Sequence, residues 1–73
     1  MNRQQLRQYI RNNPQILCRL SDHRAAQMLR RHYINGVEWH KIAREYAYSI
    51  ENVYVIRRKA AEELQNIMES EVQ

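Results

Sequence analysis

The sequence has little of what bends or crosslinks a chain: one glycine, one proline, one cysteine and no phenylalanine among 73 residues. The single cysteine, Cys18, excludes an internal disulfide and fits a reducing, cytoplasmic setting best. Its thiol reads as a small buried apolar filler. No apolar run approaches the roughly 20 residues that cross a bilayer, and the opening MNRQQLRQYIRNN lacks the apolar block of a signal peptide, so an intracellular protein is expected. Alternating β-branched residues are scarce, which leaves no convincing strand and predicts an almost wholly helical chain. Cys18, His23, His32 and His40 show neither paired-cysteine nor His-x-x-x-His spacing, and there is no glycine-rich phosphate loop. Neither a metal, a cofactor nor a catalytic constellation is therefore expected. A chain this short buries roughly 60% of the surface its unfolded form exposes, which suits one small domain and disfavours an enzyme with a deep, dry cleft.

What is present is basic charge, unevenly placed. The formal net charge is +4, but all twelve Lys and Arg lie between Arg3 and Lys59, where four acids oppose them and leave +8. From Ala60 onward four acids stand alone, at −4. Such a body is drawn to phosphate backbones, and its acidic end should point away from them. The same charges would also simply solvate a small helical bundle.

The apolar spacing predicts five helical pieces. Leu6, Tyr9 and Ile10 mark a first amphipathic helix from about Asn2 to Arg11. Asn13 and Pro14 suit an N-cap and first turn for a short helix over Gln15 to Leu20, with Ile16, Leu17 and Leu20 on one side. Ser21 or Asp22 can cap the next helix, which carries Ala25, Met28, Leu29, His32 and Tyr33 inward and stops at Asn35-Gly36. On Glu38 to Ala47, Trp39, Ile42, Ala43 and Tyr46 share a face and leave Lys41 and Arg44 outside. After a break at Tyr48, Ser49 can cap a last helix whose buried stripe is Val53, Ile56, Ala60, Leu64 and Ile67. Opposite that stripe lie Glu51, Val55 and Arg58, flanked by Asn52, Tyr54 and Lys59. The expected organisation is a helical cover over 1–20, a helix-turn-helix unit over 21–69 and an acidic tail over 70–73.

Residues 22 to 67 carry a resemblance as well. The run RRHYINGVEWHKIAREYAYSIENVYVIRRKAAEEL is similar to region 4 of sigma factors, and more closely to small sigma-like regulators of bacteriophages and prophages. Tyr33 to Trp39 leads into Ile42-Ala43, then a turn with Tyr48-Ser49, then a recognition helix with apolar positions at Val53, Ile56, Ala60 and Leu64. The resemblance implies an all-α helix-turn-helix bundle that binds double-stranded DNA and regulates transcription. Two departures stand out. Sigma-type turns often place glycine where this chain has Ala47-Tyr48, which asks a non-glycine residue to adopt a left-handed backbone. The recognition helix offers Ile50, Glu51, Asn52, Tyr54 and Val55 where the family tends to offer arginines and a glutamine, so its preferred site should differ from an ordinary promoter element.

A helix that enters the major groove brings its first turns to the base edges, which makes Ser49, Glu51, Asn52, Val55 and Arg58 the base-reading candidates. Arg58 suits guanine, Asn52 adenine, Glu51 a cytosine amino group and Val55 a thymine methyl. Glu51 and Asn52 equally suit roles in the helix's own first turn. Lys41, Arg44, Tyr48, Tyr54, Arg57 and Lys59 are candidates for phosphates, joined by Arg30 and Arg31 from the preceding helix. Arg57 lies at the edge of the buried stripe, so its stem should pack while its head reaches out. Trp39 and Tyr46 read as core, and Tyr9 as part of the cover. A protein target such as RNA polymerase, modulated by the same module, is the alternative, and a homodimer stays open.

Overall fold

The computed structural model describes residues 2–72, with side chains described as far as Ser70. All its elements are helical, with no strand among the described residues. Helix α1 spans Arg3–Asn12 and begins in a capping box: the Gln5 N–H donates to Asn2 Oδ1 at 2.8 Å, and the Asn2 N–H donates to Gln5 Oε1 at 3.0 Å. Leu6 and Ile10, one turn apart, enter the core, while Arg3, Arg7 and Arg11 repeat at the same interval on the exposed side.

Pro14 opens a 3-10 helix over Pro14–Arg19, where a short helix over Gln15 to Leu20 was expected. Asn13 does not cap it with its side chain; its amide instead donates back to the Tyr9 carbonyl at 3.2 Å. With three residues per turn, Leu17 and Leu20 eclipse each other and enter the core together with Ile16. That register turns Cys18 outward, so the thiol is exposed rather than the buried filler its apolar character predicts.

Helix α2, His23–Leu29, is capped by Asp22, whose Oδ1 accepts from the Arg24 N–H at 2.9 Å. Ser21 does something else: its N–H and hydroxyl donate to the two carboxylate oxygens of Glu63 at 2.6 and 2.8 Å, tying the start of α2 to the last helix. One π turn, Arg30–Ile34, extends α2 and ends at Asn35 and Gly36, the latter with φ +76° as the stop signal requires. Ala25, Met28, Leu29 and Tyr33 are buried, and His32 is half-buried.

Helix α3, Trp39–Tyr46, buries Ile42 and Ala43. It closes in a Schellman arrangement, with the Tyr48 N–H donating to the Ala43 carbonyl at 2.9 Å and the Ala47 N–H to the Arg44 carbonyl at 3.2 Å. Ala47 carries the left-handed backbone, φ 59° and ψ 38°, so the turn is as tight as one built on glycine. A Cβ there costs about 1–2 kcal/mol. Ala47→Gly is therefore expected to stabilise the fold by about 0.5–1 kcal/mol, after allowing for glycine's greater freedom when unfolded. A thermal midpoint that falls in this variant would contradict the assignment of strain to Ala47.

Helix α4, Ile50–Val72, is 23 residues long, about 34 Å at helical rise, and sets the 39 Å long axis of the molecule. Its cap is Ser49, whose Oγ accepts from the Asn52 N–H at 3.1 Å. The helix continues to Val72, into the segment read as a tail over 70–73; the side chains of 71–72, and residue 73, lie outside the described residues.

Two apolar clusters hold these elements. One gathers α1, the 3-10 helix, α2 and the middle of α4 around Ile10, Leu17, Leu29 and Leu64. The other sets α3 against the start of α4 through Met28, Ile42, Ala43 and Val53. Trp39 and Ile56 pack against both, so Trp39 is a half-exposed bridge rather than a fully enclosed core residue. Among the described residues no polar or charged side chain is buried. Residues 1–20 belong to the first cluster and so to the same packed unit as the rest.

Candidate nucleic-acid interface

The back of α4 is fixed by Val53, Ala60 and Leu64, all buried. The opposite side therefore faces solvent as a rigid ridge, with Glu51, Asn52, Tyr54, Arg58 and Lys59 exposed and Val55 half-buried among them. Ser49 is exposed too, but its oxygen already serves the cap, which leaves its hydroxyl proton as its main offer to a ligand.

A groove runs along each side of the ridge. One, of about 540 Å³, lies between α4 and the start of α2 and is lined by Asp22, Arg24, Tyr48, Asn52, Val55 and Lys59. Arg24 is set there by Tyr48, to whose hydroxyl oxygen it donates and over whose ring its guanidinium lies, and by Asp22 at 3.6 Å. The other, of about 460 Å³, lies between α4 and the start of α1, with Arg3, Glu51, Tyr54, Val55, Arg57 and Arg58 along it. The ridge thus has a cation on each flank.

The remaining cations divide by what holds them. Lys41 and Arg44 are exposed on α3, and Arg30 is exposed on the π turn. Arg31 is engaged by Glu45, with Nη2 at 2.8 and 2.9 Å from the carboxylate oxygens, and this pair ties the π turn to α3. Arg57 is half-buried, its guanidinium 5.7 Å from the centre of the Trp39 ring and 4.7 Å from that of Tyr54. The edge position expected for it is resolved as cation–π packing between two rings. Tyr46 is half-buried and donates its hydroxyl proton to Gln27 at 3.1 Å.

No family model, curated protein or solved structure matches the chain. No helix of the described residues is long and apolar enough to cross a membrane.

Arg3, Arg7 and Arg24 were not singled out by sequence reasoning. A signal existed for two of them, since Arg3, Arg7 and Arg11 recur every four residues; what they face depends on how α1 docks. Near them, His32 stacks on Trp39, with ring centres 4.1 Å apart and planes 21° apart, and its Nδ1–H donates to the Val37 carbonyl at 2.8 Å. Burial pushes the imidazole below its ordinary value of 6.5; the Val37 bond opposes this, and the charges of Arg7 and Arg57 add to it. Because the folded value is the lower one, the unfolded chain takes up the proton first. The stability this group contributes is complete above pH 6.5 and drains as pH falls through the folded value. Urea midpoints at pH 7.5 and 5.5 should differ more for the wild type than for His32→Asn, and equal differences would remove His32 as the cause.

Proposed function

We propose that this chain is a helix-turn-helix protein that binds double-stranded DNA sequence-specifically and regulates transcription. Helix α3 acts as the brace and α4 as the reading helix. The observation that carries the proposal is the ridge: the first turns of α4 hold Glu51, Asn52 and Arg58 clear of the body, while Val53 and Ile42 lock the helix from behind. A major groove is about 12 Å wide and admits one helix, and its two walls are phosphate strands. Arg24 on one side and Arg3 on the other stand where such strands would pass. The resemblance of residues 22 to 67 to sigma region 4 supports the same arrangement.

Selection of binding sequences from a random duplex pool tests the reading. An enriched motif is expected, and symmetry within it would report two copies on one site. Arg58→Ala and Asn52→Ala should each relax the preference at one position by about 1–3 kcal/mol, roughly fivefold to 150-fold, without unfolding the chain. Enrichment of nothing, together with a stoichiometric polymerase partner, would transfer the ridge to protein recognition.

A further inference from the structure

Behind the ridge lies an open cleft of about 550 Å³ between α1 and α4, lined by Arg3, Arg7 and Arg57 together with Tyr33, His32 and Trp39. No carboxylate lines it. Arg24 and Arg31 each have an acidic partner, whereas Arg3, Arg7 and Arg57 make no ion pair among the described residues. Three like charges from two helices converge at a cost that a bound anion would relieve. Their field reaches the aromatic floor: burial raises the Tyr33 phenol above its ordinary value, and Arg57, Arg7 and Arg3 all pull it back.

The rings decide what kind of anion fits. His32 is stacked on Trp39, and Arg57 lies over both Trp39 and Tyr54, so little ring face is left for a base to stack on. The aromatics serve instead to hold one guanidinium in place before any ligand arrives. A held guanidinium beside two exposed ones suits a compact, multiply charged oxyanion, which accepts paired N–H donors. Arg11 continues the basic edge in an adjoining recess with Arg7, Asn35 and Gly36.

We infer that Arg3, Arg7 and Arg57 form a binding site for a phosphate group in the cleft between α1 and α4. The phosphate has two possible sources, a free phosphate ester or the backbone of a nucleic acid passing the ridge, since this cleft shares Arg3, Tyr54 and Arg57 with the groove beside Arg58.

Trp39, the sole tryptophan, lines the cleft and reports its occupancy by fluorescence. The full chain is titrated at constant ionic strength with inorganic pyrophosphate and, separately, with a blunt duplex lacking terminal phosphates. Wild type is compared with Arg7→Gln and with the Arg3→Gln/Arg7→Gln double variant, exposed positions whose folding is checked by circular dichroism. A saturable emission change with pyrophosphate, weakened about tenfold in Arg7→Gln and further in the double variant, establishes the site with a free ester as its source. A change with the duplex alone, weakened in the same variants, establishes it with the backbone as its source. Responses to neither probe, or responses the variants leave unchanged, overturn the inference. Failure of sequence selection through Asn52 and Arg58 would leave the pyrophosphate result standing, because those residues do not line this cleft.

Discussion

Duplex binding should weaken by about a thousandfold when monovalent salt rises from about 50 to about 200 mM, as expected for about six neutralised phosphates. The exposed cations supply that number: Lys41 and Arg44 on α3, Arg58 and Lys59 on α4, Arg30 on the π turn, and Arg24 or Arg3 at the flanks. Each neutralised phosphate adds about −0.9 to the slope of log affinity against log salt, so a slope near −5 is expected in a fluorescence anisotropy series. Lys41→Gln and Arg44→Gln should each make the slope shallower by about one while leaving the selected sequence unchanged. A slope near zero would mean that α3 and α4 do not meet a phosphate backbone together.

Leu64→Ala should lower the free energy of unfolding by about 2–5 kcal/mol. Leu64 has 0% exposure and sits in the cluster with Ile10, Leu17 and Leu29, so removing its side chain leaves a cavity bounded by α1, α2 and the 3-10 helix. Small domains hold only about 5–15 kcal/mol in all, which puts this variant near the edge of folding. Leu64→Met, which keeps the volume, should cost less than about 1.5 kcal/mol. Urea denaturation followed by circular dichroism makes the comparison. A loss below about 1 kcal/mol for the alanine variant would show that the second half of α4 is not packed as described.

Much of the fold was legible in the residues because local rules decided it. Three- and four-residue apolar spacing gave α1 and α3 to within a residue or two and the start of α4, whose cap Ser49 announced, while the end of α4 runs on into the segment read as a tail; Asn35-Gly36 announced the stop before α3. Ala47-Tyr48 was recognisable as the place where the turn had to go left-handed without glycine, and the backbone assigns that conformation to Ala47. The misses share a different cause. A run as short as Pro14–Arg19 contains too few turns for its period to separate 3-10 from α, and the tighter winding is what put Cys18 outside. The π turn leaves no mark in an apolar pattern that reads smoothly from Ala25 to Tyr33. Contacts between distant segments, such as Ser21 with Glu63, Arg31 with Glu45 and Arg24 with Tyr48, involve residue types common on any charged surface. The same holds for the α1–α4 cleft: the arginine repeat could be counted, but the docking that turns it toward Arg57 is a property of the core. At the ridge, spacing correctly predicted which side of α4 is free and left open what that side touches.

Among the described residues no polar or charged residue is buried as a whole, and Arg31 Nε is the one enclosed side-chain nitrogen without a partner, so the two apolar clusters are permissive. Aliphatic side chains of similar bulk can trade places at Leu17, Met28 or Leu29 with little penalty. Such a scaffold can drift in its hidden letters while its outer ones are tuned, so directed evolution of new recognition properties should find the α4 surface changeable without first reinforcing the molecule.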